Sequence, residues 1–330
     1  MYQNATEIRR HDLEGPLMQE AALGYTTPRV LPVFSMRNRQ GSLPTIVRTD
    51  DQVLDIKRSP KTSHARIEGE VGRITITAEE MSIEEPIDVT DDDVLGPERA
   101  EMAAAFRTRN VLLRATDAAL VSALMTTGTF GSGFNTGAIN TWNHADGDPL
   151  ADVERAKEKV FLRTGREDGT CLLISRGLQR LLSESPVMRA RAGNIVARLG
   201  DDRALPHMLD ATLLAAIFGL EEVVIAAGVK NSAQKGLTTV REFICPNTSA
   251  LVFQRSMGDD LGSPQLGRTF VWDAGTSVEE ESGTVDDLAG LVVETYREAK
   301  ISADIIRAKN YLQQRVLLKD AGHLITGTAS

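Results

Sequence analysis

PERAEMAAAFRTRNVLLRATDAALVSALMT, residues 97–126, is the stretch on which the reading of this chain turns. Pro97 and Glu98 are helix-opening residues, no proline or glycine follows inside the stretch, and Gly128 supplies the stop. Phe106, Leu113 and Leu120 recur at seven-residue spacing with Met102, Leu112 and Leu124 beside them, so one apolar stripe runs along the predicted helix. At ~1.5 Å per residue it makes a rod of roughly 45 Å. No second helical segment of matching length exists, so the rod is predicted to be a spine lying on other elements and not a bundle member.

Working back from the spine, residues 79–93 hold Glu79, Glu80, Glu84, Glu85, Asp88, Asp91, Asp92 and Asp93, a density that calls for solvent or a basic partner. Residues 44–87 read as a long two-stranded ribbon. Pro44 to Val47 and Val53 to Ile56 form one side and Arg73 to Ala78 the other, with a polar, basic tip between Lys57 and Arg66. An isolated hairpin is marginal in water, so the ribbon should rest on something. The tip residues Lys57, Arg58, Lys61 and Arg66 are therefore candidates to meet Glu79, Glu80, Glu84 and Glu85 of an adjacent copy; a solvated acidic face is the alternative. Residues 1–43 are an arm: Pro16, Pro28 and Pro32 break helix continuity, and Thr26 to Phe34 reads as extended chain. Such an arm needs a surface to lie on, its own chain's or a neighbour's. Val30 and Phe34 are its candidate contacts.

On the carboxyl side, residues 148–270 change to short alternating elements. Asp148-Pro149 caps a helix that Gly165 ends, Thr170 to Ile174 is a buried-type strand, and Ser175 caps a short helix that Pro186 terminates. Asp210 opens a further helix to Gly219, and strands follow at Glu222 to Ala226 and Leu251 to Phe253, giving one α/β lobe. Residues 271–330 return as strands at 291–296, 303–306 and 316–318.

Several function classes fall away. A net charge of -9 argues against a protein that grips nucleic acid, although an acidic wall can contain a polyanion without adhering to it. No stretch has signal-peptide or membrane-spanning character. Cys171 and Cys245 lie in separate apolar runs, as buried reduced thiols do. The glycine-rich segment 128–137 is one residue off a dinucleotide fingerprint, follows a helix and lacks a Gly-Lys-Ser/Thr ending, so it reads as a connection. The five histidines have no partner at metal-ligand spacing, and there is no nucleophile-elbow serine. Adjacent carboxylates such as Glu221-Glu222 create no cleft by themselves. On the spine, Arg107, Arg109 and Arg114 could face DNA or a neighbour, with helix pairing such as Arg114 to Asp117 as the plainer reading. No catalytic, cofactor-binding or metal-binding residue is assigned.

The ordered set of arm, ribbon, spine, lobe and returning strands resembles the major capsid proteins of tailed bacteriophages, the Hong Kong 97-type family. The resemblance is carried by residues 27–34, 84–88, Trp142-Asn143 with Asp148 to Lys157 and Thr164-Gly165, Leu173 to Pro186, Leu213 to Ile225, Val229 to Ala233 and Asp320 to Ile325. It implies an α+β fold with an N-terminal arm (1–43), an extended loop or E-loop (44–87), a peripheral domain with the spine (88–147), an axial α/β domain (148–270) and strands returning to the peripheral domain (271–330). It implies a shell subunit forming hexamers and pentamers around double-stranded DNA, without sequence-specific binding, in a virion assembled in the bacterial cytoplasm. The short arm implies a separate scaffolding protein or none, and the family a portal and room for a decoration protein. Lys57 and Lys61 lie in the ribbon, but no acceptor for a covalent cross-link between subunits is apparent. Two rivals are an encapsulin-like nanocompartment, which shares the fold, and a cytosolic α/β enzyme built on the 148–270 lobe.

Overall fold

The computed structural model describes residues 8–9, 25–47, 57, 64, 70–88, 96–144, 146–167, 169–198, 208–234, 236–256, 264–272 and 291–329. Its elements are β1 (Ile8–Arg9), α1 (Thr27–Val30), β2 (Val33–Met36), β3 (Gln40–Val47), β4 (Glu70–Thr77), β5 (Glu79–Ile87), α2 (Pro97–Leu124), α3 (Thr127–Phe130), β6 (Asn135–Gly137) and α4 (Pro149–Thr164). They continue as β7 (Thr170–Ser175), α5 (Arg176–Glu184), α6 (Pro186–Arg198), α7 (Ala211–Phe218), β8 (Glu222–Ala226), β9 (Val229–Asn231), β10 (Arg241–Phe243), β11 (Ser249–Gln254), β12 (Gly267–Trp272), β13 (Val292–Glu298), β14 (Ala303–Val316) and β15 (Gly322–Thr326).

The spine helix α2 bridges two separate cores. Its first half packs Ala100, Ala104, Ala105, Leu112 and Leu113 against Ile87, Leu291, Val293, Ile306 and Ala308. Its second half packs Leu120, Val121 and Leu124 against Val30, Leu31, Leu251, Phe253 and Leu324. The alanines do the close work: with no side chain beyond Cβ they let helix and sheet approach, so Phe106 ends at the margin of that core and not at its centre.

The first sheet is organised by β14. Residues expected as two strands are one 14-residue strand. It takes β5 along one edge, from Asp304 opposite Ile87 to Leu312 opposite Glu79, and β13 then β12 along the other. β2 adds in parallel to β12, and β1 extends β13. β3 and β4 pair from Gln40 opposite Thr77 to Val47 opposite Glu70, forming the two-stranded ribbon, which passes through Ala78 straight into β5. The expected strand at 53–56 lies outside the described residues.

The second sheet runs β6-β15-β11-β7-β8. Local signals fix its helices. The Asp148 carboxylate accepts from the Ala151 N–H (3.2 Å), Ser175 Oγ from Leu178 N–H (3.0 Å) and Asp210 from Leu213 N–H (2.8 Å). Gly165 and Gly219 end α4 and α7 in the left-handed region, at φ 67° and 60°, where a side chain would be strained. Pro186 ends α5 as expected, yet also opens α6, a first-turn position where its missing N–H costs nothing. Val153, Val160, Leu178, Leu214 and Phe218 of these helices share one core with Leu172, Ile174, Val223 and Val252.

Sheet membership crosses the expected domain limits. β12 straddles residue 270 and joins the first sheet, whereas β6 joins the second. The carboxyl-terminal β15, expected to return with the strands before it, sits between β6 and β11 in the second sheet. It is buried from Gly322 to Ile325, and both its neighbours lie far off in sequence.

Candidate assembly surfaces

The arm is fastened to its own chain. Asp117, buried on the spine, accepts four hydrogen bonds on Oδ1, from the Thr26 N–H (2.9 Å) and hydroxyl (2.6 Å) and the Thr27 N–H (3.0 Å) and hydroxyl (3.1 Å). This replaces the expected pairing along the helix with Arg114. Held there, the segment expected to be extended coils into α1, and Val30 is buried at 1% exposure among spine side chains. Val30 is thus corrected from a subunit contact to a core residue. Phe34 is half-buried: its ring meets Phe270 edge-on at 5.7 Å, with the Arg268 guanidinium 5.5 Å from its centroid.

A second fastening escaped sequence reasoning. Arg29 of α1 pairs with Glu222 at the start of β8, and Arg255 after β11 pairs with both Glu222 and Glu221. Burial alone would raise the Glu222 carboxyl, but the two guanidiniums outweigh it and hold it below the usual carboxylate range. Of the two adjacent carboxylates, Glu222 holds the arm through Arg29, and Glu221 holds Arg255.

The acidic strand β5 finds cations within the chain. Register sets Arg307 of β14 between Glu84 and Glu294, and its Nε donates to Glu84 at 2.6 Å. Arg107 of the spine donates to Glu85 at 2.8 Å, so this arginine has a carboxylate at hand; Arg109 is buried and Arg114 exposed. Glu79 and Glu80 are exposed at the head of β5. Glu79 also lines a cavity of about 280 Å³ with Leu31, Leu120, Leu124, Leu312 and Val316. Lys57 is exposed, while Arg58, Lys61 and Arg66 lie outside the described residues.

Among the described residues, no group of three His, Cys, Asp or Glu is placed to hold a metal ion. Burial pushes both the Cys171 and Cys245 thiols up to about 12, which keeps them protonated. The glycine-rich segment contains the one-turn α3 and β6. His323, dispersed in sequence and expected to be unremarkable, is fully buried in β15. Its Nε2 lies 2.7 Å from Thr136 Oγ1, which also accepts from Lys159 at 2.6 Å. Burial, aided by Lys159, Arg163 and Arg155, lowers it to about 4, so it is neutral at pH 7. No described helix is long and apolar enough to cross a membrane.

No protein-family model and no curated protein sequence matches the chain. Solved structures do. A phage-related protein from Bordetella bronchiseptica matches at TM-score 0.68 and 15% identity, covering 98% of each chain. The capsid of a cyanophage matches at 0.53 and 12% identity, over 90% of this chain and 86% of that one. An encapsulin from Synechococcus elongatus matches at 0.52 and 12% identity, over 97% and 96%. The chain has the fold of capsid and encapsulin shell subunits, the α+β Hong Kong 97-type fold.

Proposed function

We propose that a polypeptide with this fold over its whole length is the major capsid protein of a tailed double-stranded DNA phage, a structural subunit and not an enzyme. The observation that supports the reading is coverage: a phage-related protein and a cyanophage capsid match 98% and 90% of this chain. The lobe closes into six-fold and five-fold rings through heterologous contacts. The ribbon, whose strands pair with each other and with no other strand among the described residues, overlaps the adjacent subunit. Lys57, Arg58, Lys61 and Arg66 at its tip, with Glu79, Glu80 and Phe34, are the contact residues in this reading. Glu84 and Glu85 serve less well, being already engaged in-chain. Interfaces of this kind bury on the order of 2,000 Å² or more.

The net charge of -9 suits an inner wall that contains DNA without sequence-specific binding. A portal, a separate scaffolding protein and a decoration protein are the expected partners; no cofactor is required. The place of the product is the virion, assembled in the host cytoplasm. The encapsulin match supports a second reading, a shell around protein cargo. Expressing the full chain, imaging the product by electron microscopy and testing particles from the native host for nuclease-protected DNA separates the two. Closed shells holding double-stranded DNA support the phage reading; a co-purifying protein cargo without DNA favours the nanocompartment; a persistent monomer overturns both.

A further inference from the structure

The hairpin of β9 and β10 stands apart from both large sheets, with Val229 opposite Phe243, Lys230 opposite Glu242 and Asn231 opposite Arg241. All six strand residues are exposed. Among the described residues, Val229, Leu237, Val240 and Phe243 are large apolar side chains left 37%, 68%, 49% and 41% exposed within this one hairpin. A two-stranded unit is marginal in water, and apolar side chains clustered at the surface mark a contact. Opposite residues share a face, so Phe243 and Val229 lie with Arg241 and Asn231 on a face that carries one cation and no carboxylate, while Lys230 and Glu242 pair on the other.

A complementary surface lies elsewhere on the lobe. Beside the last turns of α4 is a groove of about 290 Å³, walled by Glu154, Glu158, Glu167, Phe161, Lys157 and Arg166. Phe161 is 42% exposed and its neighbour Leu162 is 74% exposed. The Lys157 ammonium is engaged by Glu154 and by the Phe218 and Gly219 carbonyls at 2.9 and 3.3 Å. With Lys157 and Glu154 paired, Glu158 and Glu167 stand against Arg166 alone, and the groove is net acidic. The two surfaces lie at opposite ends of the parallel β7–β8 pair. Thr170 and Gly219 line the groove at one end, whereas the hairpin follows Ala226, which is in register with Ser175, at the other. The separation is roughly 20 Å by strand rise.

We propose that the hairpin of one subunit seats in this groove of a neighbouring copy. Leu237 and Phe243 cover Phe161 and Leu162, and Arg241, which shares Phe243's face of the hairpin, faces Glu158 and Glu167. The inference rests on the shell reading and names its ring contact. Two different surfaces on one subunit make a head-to-tail contact, which repeats around an axis and closes a ring. Hairpin against hairpin would set like charges together and leave Phe161 and Leu162 in water.

The full chain carrying Leu237→Cys and Leu162→Cys, assembled and treated with a short bismaleimide, tests this. Both positions are exposed, and the native cysteines are buried and protonated, so only the engineered pair reacts. A ladder of covalent oligomers ending at the ring number is expected. Particles without a ladder, or Leu237→Cys alone giving dimers as efficiently, would overturn the proposal. The variant Leu237→Asp with Val240→Asp should melt like wild type as a subunit yet need a roughly tenfold higher concentration to assemble. This second variant decides the matter if the cysteine pair does not assemble, and assembly at the wild-type concentration refutes the contact. Wild-type chain that forms no particles at all sinks the shell reading instead.

Discussion

Replacing Asp117 with alanine should release the arm from the spine. The carboxylate receives four hydrogen bonds on one oxygen, and two of the donors belong to Thr26, itself 1% exposed. A hydrogen bond to a charged group contributes about 1.5–3 kcal/mol, and stranding a buried donor costs about 1–3 kcal/mol. The four are not additive. Thr27 is only half-buried and its donors rehydrate, and removing the carboxylate relieves its own burial, since Oδ2 has no hydrogen-bond partner among the described residues. The net loss expected is about 3 kcal/mol for Asp117→Ala and about half that for Asp117→Asn, which keeps an acceptor oxygen in place. Denaturant unfolding of the unassembled subunit reads the difference directly. Release of α1 should also make the Arg29–Val30 bond a site of rapid tryptic cleavage. Equal stability of wild type and Asp117→Ala, or an alanine variant no worse than the asparagine one, would refute the idea that this carboxylate fastens the arm.

Three further outcomes follow from the same geometry. His323 sits at about 4 in the fold against 6.5 when unfolded, so the unfolded chain binds the proton first; stability is lost as pH falls from 6.5 towards 4, by about 2 kcal/mol at pH 5, and His323→Gln should flatten that slope in a series of melts at different pH, whereas an unchanged slope would contradict the assignment. Glu222→Gln should cost about 1 kcal/mol after discounting for partial exposure; the carboxylate's contribution is present above the usual carboxylate range and lost as pH falls through its lowered value, so equal stability of the two proteins at pH 7 would count against the Arg29–Glu222–Arg255 cluster as a fastening. Deleting residues 57–66 should leave the subunit folded but yield few or unstable particles by electron microscopy, and normal shells would remove the ribbon tip from the account.

How much of this was legible in the sequence depends on the range of the interaction. The spine, the Asp148, Ser175 and Asp210 caps and the Gly165 and Gly219 stops are set within one helical turn, and all could be read residue by residue. Whatever depends on distant partners could not. Glu84 looked unpartnered because Arg307 lies 223 residues away and reaches it only through β14 register. Val30 looked available because Asp117, ninety residues on from Thr27, resembled a surface helix residue. Residues 322–326 group in sequence with the returning segment and do not read as a strand of the lobe, because nothing local says that a short apolar run will insert between β6 and β11. The arm's coil was a local signal misread, as was Pro186 opening α6: Pro28 fits a first turn as well as an extended chain, and the Asp117 carboxylate decided between them.

The most direct measurement is mass photometry of the purified full chain over a concentration series. The account predicts a transition from free subunits to discrete, closed, many-subunit particles above a threshold concentration, because ring-forming contacts close only when sister copies supply both halves. A single-chain species at every concentration would contradict it.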